Sequence, residues 1–282
     1  MLIVLIAMRA RLWVTLLATS IVVAILSGGL IGVMELFTDI DIVTIDIVVI
    51  SFLVATFVEL YRMNKGIEGI GWELVKLFRN PVVVITMVPA ILGLLPVAGG
   101  ALMSAPIVDS VGDSIQLDKA RKLFINVWFR HVIFLIYPVS TPLIMAAFLS
   151  GTDLWCLIAR QIPIAVTMAF VGIVLGIPRT LISARVAEGS VDVLKLLRCF
   201  TPMISVIVIS IALSGYIDYK LPFLGKASMV VGLGVGIAVN LALLSSRKLM
   251  DLIDALRSRT VIELVLAAYG AMLLRKAFIL AD

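Results

Sequence analysis

The stretch Pro81–Val108, PVVVITMVPAILGLLPVAGGALMSAPIV, carries no charged residue, yet Pro89, Gly93, Pro96, Gly99, Gly100 and Pro106 interrupt it. Its apolar length would suit a membrane-crossing helix, which takes about 20 residues. Each interior proline costs a helix about 3 kcal/mol, so one straight crossing helix is untenable here. The pattern predicts two half-length helices meeting at an irregular tip over Leu95–Gly100, with the segment entering and leaving the bilayer on the same side. Broken backbone at membrane depth is tolerated only where protein or a wet cavity surrounds it. A binding site is therefore expected at the tip.

The rest of the chain supports a membrane setting. Of its 282 residues, 62% are hydrophobic and 15% charged, and the mean hydropathy is +1.19. Soluble domains are about 45–50% apolar and about 25% charged, and a globule of this size leaves too much surface exposed to hide the excess. Leu12–Met34 is the cleanest expected span, followed by Ile40–Tyr61, Val132–Thr152, Gln161–Pro178, Cys199–Ile217, Ala227–Ser246 and Val261–Leu274. With Met1–Met8 as the tail of another, the chain reads as roughly eight spans. Arg9 and Arg11 follow the Met1–Met8 stretch, the reverse of the order in a signal peptide. Gly69–Arg79 and Ala187–Arg198 are predicted to lie as helices in the interface.

The net charge of +5 and pI near 9.4 would suit nucleic acid, but in a membrane protein they mark cytoplasmic loops. Nucleic acid is excluded as a partner on that ground; the lipid bilayer is the expected one. With the Arg9/Arg11 loop cytoplasmic, most basic residues, through Arg257 and Arg259, fall on the same face. That bias holds only if Pro81–Val108 returns to the side it entered. The expected setting is thus the cell membrane, multi-pass, with that loop inside. Cys156 and Cys199 fit no metal or disulfide spacing and read as small apolar residues. No metal-ligand set, phosphate-binding loop or nucleophile elbow is present, so no metal site, cofactor or catalytic residue is expected.

Candidate site residues gather near the predicted tip. Gly99 and Gly100 let backbone approach a ligand, and Pro96 sets the turn. From Ala101 a half-helix would begin whose free amides favour an anion, with Ser104 one turn inside. Asn126 and Arg130 are four residues apart on one helical face, and Arg130 can balance an anionic substrate or acid. His131, the only histidine, and Asp46, an acid inside a span, are candidates for proton relay. Asp39 and Asp41 read as solvated caps. Arg160 needs an acidic partner, for which Asp46 and Asp153 are available. Pro138 and Pro142 in YPVSTP should kink their span. An enzyme would have to rest on Ser104 with His131 and is set aside.

Ile47–Gly66 and Val261–Ala281 resemble each other weakly and would cross in opposite directions, as in inverted-repeat transporters. The run NPVVVITMVPAILGLLPVAGGALMSAPIVD from Asn80, then KLFINVWFRHV and YP, resembles domain of unknown function family 401, within the ion transporter superfamily. The resemblance implies an inverted-repeat secondary transporter with a re-entrant hairpin in each half. It maps Gly99, Gly100, Ala101 and Ser104 onto the tip that binds substrate or ion. It also places an acid a few positions after Arg130–His131, where this chain has Phe134.

The expected fold is therefore all-α: a polytopic transmembrane bundle forming one domain over 1–282, with the first hairpin at about 81–112. A second repeat is expected from near 199, incomplete at the C-terminus, so that its hairpin is missing and a truncated or split gene product is predicted. The expected function is secondary transport of a small anion, with organic carboxylates as one candidate class, coupled to H⁺ or Na⁺. The alternatives are a passive channel or a non-transporting or split-gene subunit whose partner is a second polypeptide or a second copy.

Overall fold

The computed structural model describes residues 5, 10–38, 41–63, 70–94, 100–178, 189–220 and 227–281. Among them the regular elements are all helical: α1 Leu12–Thr38, α2 Ile42–Met63, α3 Ile70–Phe78, α4 Pro81–Leu94, α5 Gly100–Ser114, α6 Lys119–Phe134, α7 Thr141–Ser150, α8 Leu154–Gly176, α9 Val193–Lys220, α10 Ala227–Leu243, α11 Leu249–Leu256 and α12 Arg259–Ala281. Their starts follow from local chemistry. Asn80 accepts the Val82 N–H at 2.9 Å ahead of α4, with Pro81 in the first turn. Asp118 caps α6 through the Arg121 N–H, and Asp153 caps α8 through those of Trp155 and Cys156.

Among the described residues five helices are, by length and composition, apolar enough to cross a membrane: α1, which is broken at Gly29, α2, α8, α9 (over Val193–Leu213) and α12. This makes the chain a multi-pass helical membrane protein, with fewer full-length spans than the eight read from hydropathy. Met1–Met8 lies mostly outside the described residues, Ala227–Ser246 holds a single but shorter helix of 17 residues, and Val132–Thr152 is broken. Val132–Thr152 is not one kinked span: α6 starts at Lys119 and stops at Phe134, and α7 resumes only at Thr141. Pro138 and Pro142 remove two amides close together, and the chain answers by leaving the helix altogether. The predicted interface helix at Gly69–Arg79 is α3, whereas the described part of Ala187–Arg198 runs into α9 from Val193.

Leu12–Met34 also departs from a plain crossing. Gly29 sits at φ 60°, ψ −144°, outside the helical region, and the chain turns back there. A Cβ on Gly32 would lie 2.6 Å from the Ala24 carbonyl oxygen. A straight helix holds residues eight apart at about 12 Å. Leu36 then joins Ala24, Leu273 and Ala277 in one buried cluster.

Charge pairs fix which helix ends lie together. Arg11 meets Glu263 at 3.4 Å, joining the starts of α1 and α12. Buried Glu59, near the end of α2, accepts from Arg62 and from Ser258 just before α12. At the opposite end Arg275 donates to Asp41 at 3.0 Å, and Lys276 reaches the Glu35 carbonyl. Asp41 is thus an exposed cap, as expected, that also pairs with Arg275. Burial pushes its carboxyl up, but bonds from Thr44 and Arg275 outweigh this and hold it below its ordinary value.

The largest core cluster joins α2 to α4, α6 and α10 through Phe57, Tyr61, Ile85, Leu92, Ile125 and Leu233. α8, by contrast, exposes Ile162, Val166, Phe170 and Val174. Outward-facing apolar side chains of this kind suit lipid.

Candidate functional site

The site is built on α4, α5 and α6. The two arms α4 and α5 pack on each other, and α6 packs on both. α6 climbs from the open end of the arms toward their joined end, as three contacts show. Near its start, Lys122 donates to Asp109 at 2.8 Å and to Asp113 at 2.5 Å. One turn on, the Ser104 hydroxyl donates to Asn126 Oδ1 at 2.5 Å. A further turn on, Arg130 lies against Gly93, where an added Cβ would come within 3.2 Å of Arg130 Cγ. Successive turns of one helix thus read successive levels of the hairpin.

The sequence-predicted residues separate into three groups. Ser104, Asn126 and Arg130 are brought together; all are buried, Ser104 completely and Arg130 to 8% exposure. Gly100 and Ala101 form the first turn of α5, while Pro96 and Gly99 lie outside the described residues. His131 and Asp46 stand apart. His131 is exposed, with Nδ1 2.6 Å from the Val127 carbonyl and its ring edge-on to Phe134. Asp46 is buried on α2, and among the described residues no hydrogen bond or ion pair joins it to His131 or Arg160. Arg160 is exposed on α8, and Asp153, its other proposed partner, caps that helix instead.

Arg130 is the unusual member. Its Nη1 is buried and makes no hydrogen bond, and its guanidinium carbon lies 5.5 Å from the centre of the Phe134 ring. A cation–π contact offsets part of the desolvation of a guanidinium. It does not replace a counter-charge, whose absence costs several kcal/mol in a low-dielectric interior. The hydroxyl of Tyr137, in the break between α6 and α7, is likewise buried without a hydrogen bond.

The charged residues beneath are arranged differently. Hydrogen bonds from Lys122 hold the Asp109 carboxyl below its ordinary value, and those same bonds raise Lys122. Glu73 on α3 accepts from the Asp192 N–H and Lys76, and both hold it low, the first more. Sequence reasoning missed this Lys122 clasp and the close approach at Gly93. An Asp109–Lys122 separation of 13 residues signals nothing until both helices are placed. The glycine was legible only as a helix breaker.

Among the described residues no group of three His, Cys, Asp or Glu side chains can hold a metal ion. Cys156 and Cys199 are free thiols, Cys199 buried as its apolar stretch suggested and Cys156 exposed.

Architecture and site together define a multi-pass helical membrane protein in which a helical hairpin is read by a third helix. The chain belongs to the DUF401 family of proteins of unknown function, which matches residues 1–221. No curated protein and no solved structure matches it.

Proposed function

We propose that this chain is a secondary transporter of a small anion, coupled to H⁺ or Na⁺, which binds where α4 and α5 meet. The observation that carries the reading is Arg130, a buried cation without a counter-charge among the described residues, held beside the joined end of the hairpin. Two further features support it. α5 begins at Gly100, and the first amides of a helix lack intrahelical partners, which favours negative charge near them. Ser104 and Asn126 add buried polar groups one turn away.

The arms have 14 and 15 residues, or about 21–23 Å each, short of the roughly 30 Å hydrocarbon core. A re-entrant hairpin accounts for that length and for the shared face of its flanking basic residues. In this reading the Arg11 end is cytoplasmic, and α9 to α12 begin an inverted second repeat. Alternating access then moves the hairpin side against the remaining helices.

The test is uptake into proteoliposomes of a panel of organic anions under imposed H⁺ or Na⁺ gradients. Saturable, gradient-driven uptake is expected, reduced at least tenfold in Gly100→Leu and clearly lowered in Ser104→Ala. Non-saturating conductance would make the protein a channel, and wild-type uptake in both variants would remove the site from the hairpin.

A further inference from the structure

We propose that the ligand carries a single negative charge and is held as a neutral pair with Arg130. The inference rests on the anion-site reading above and narrows it from the charges on the surrounding elements. Pro81–Val108 has no charged residue, so α4, the tip and the first turns of α5 contribute none; Asp109 and Asp113 lie further along α5. On α6, Lys122 is paired with Asp109 and Asp113, and Arg121 with Asp118. On α3, Lys76 is paired with Glu73, and at the end of α2, Arg62 with Glu59. Arg130 is left as the one unpaired charge at the joined end among the described residues.

The surroundings of the guanidinium limit what it can hold. Its stem lies against Gly93 and its carbon lies near the Phe134 ring. Nη1 keeps an unused donor in a buried setting. A monovalent anion brings the net charge there to zero, whereas a dianion would leave one buried negative charge without a partner. Interaction energies between charges rise steeply as the local dielectric falls, so that difference discriminates strongly. A small carboxylate and an inorganic monoanion share this chemistry.

Thermal unfolding in lipid nanodiscs tests the proposal, with sodium sulfate as background at constant ionic strength. The probes are propionate, chloride, succinate and the neutral isostere propionamide. Propionate or chloride should raise the midpoint saturably, by about 5 °C at a hundredfold excess over Kd. Which of the two acts separates the carboxylate from the inorganic source. Succinate and propionamide should leave the midpoint unchanged to within about 1 °C. Arg130→Gln should abolish the response and raise the ligand-free midpoint, since it removes an uncompensated charge. Arg130→Lys should keep a weaker response, which guards against a general folding defect.

Stabilisation by succinate equal to or above that by propionate, lost in Arg130→Gln, would overturn the single-charge inference and leave the anion site standing. An equal response to propionamide would overturn it too, because charge would be irrelevant. No response to any probe, with saturable anion uptake intact in Arg130→Gln, would overturn both the inference and the site.

Discussion

Leu12–Met34 and Pro81–Val108 are both free of charge, and both fall within segments whose backbone changes direction. In the first, the reversal at Gly29 is bare, with Leu26 and Leu30 more than four-fifths exposed. In the second, both arms are covered, α4 and α5 by each other and by α3 and α6. Lysines secure each in a different way: Lys276 donates to the Glu35 carbonyl, whereas Lys122 bridges two carboxylates. Reversed backbone in lipid needs protein or water to satisfy it. A bare reversal therefore belongs at the membrane edge, and a covered one can lie deeper. At the covered one a third helix also brings in the buried polar side chains Asn126 and Arg130.

The largest expected effect is at Gly93. A leucine there must displace Ile133 and Arg130, whose atoms would lie 3.1–3.3 Å from the new Cβ. Gly93→Leu should cost about 1–3 kcal/mol in nanodisc thermal unfolding and abolish anion uptake. Gly29→Val comes next. Nothing lies within 4 Å of an added Cβ, so the cost is backbone strain alone, about 1–3 kcal/mol. Uptake KM should stay as in the wild type, and an equal loss of uptake in both variants would break the contrast between the two reversals.

The smallest effect concerns pH. The Asp109 carboxyl is held low by Lys122, so its contribution to stability is present above the ordinary carboxylate range. It is lost as pH falls through the lowered value, below about 3.9. Lys122, raised by the same bonds, loses its part only as pH rises above about 10.4. The midpoint advantage of wild type over Lys122→Met should therefore hold at neutral pH and shrink at both extremes. A flat difference would show that the clasp acts through packing of the lysine stem. The effect is modest because both aspartates are largely solvent-exposed.

The tip expected over Leu95–Gly100 lies almost wholly outside the described residues. The division of Pro81–Val108 into two helices was legible in the sequence, because interior prolines in a charge-free run argue against one straight helix. The reversal at Gly29 was not, since SGG inside an apolar run is also compatible with a continuous helix. The break at Leu135–Ser140 was legible only as a kink, because proline spacing shows where a helix is weakened and not whether it resumes at once. At the site, the Asn126–Arg130 spacing placed two side chains on one face, and both are buried. What spacing could not reveal was their opposite circumstances, one bonded to Ser104 and the other without a partner. His131 was singled out for being the only histidine, a property of composition that says nothing about where its ring points.

Trp128 stands two residues before Arg130, and its indole N–H donates to the Met168 carbonyl of α8 at 2.8 Å. The ring lies 5.0 Å from that of Phe124, over the notch left by Gly172. Indole emission responds to the polarity and hydrogen bonding of that N–H. The helix carrying the arginine thus has an intrinsic optical probe at its seam with α8. With Trp13, Trp72 and Trp155 replaced by phenylalanine, the remaining emitter would let relative movement of α6 and α8 be followed in real time, with no label attached to the protein.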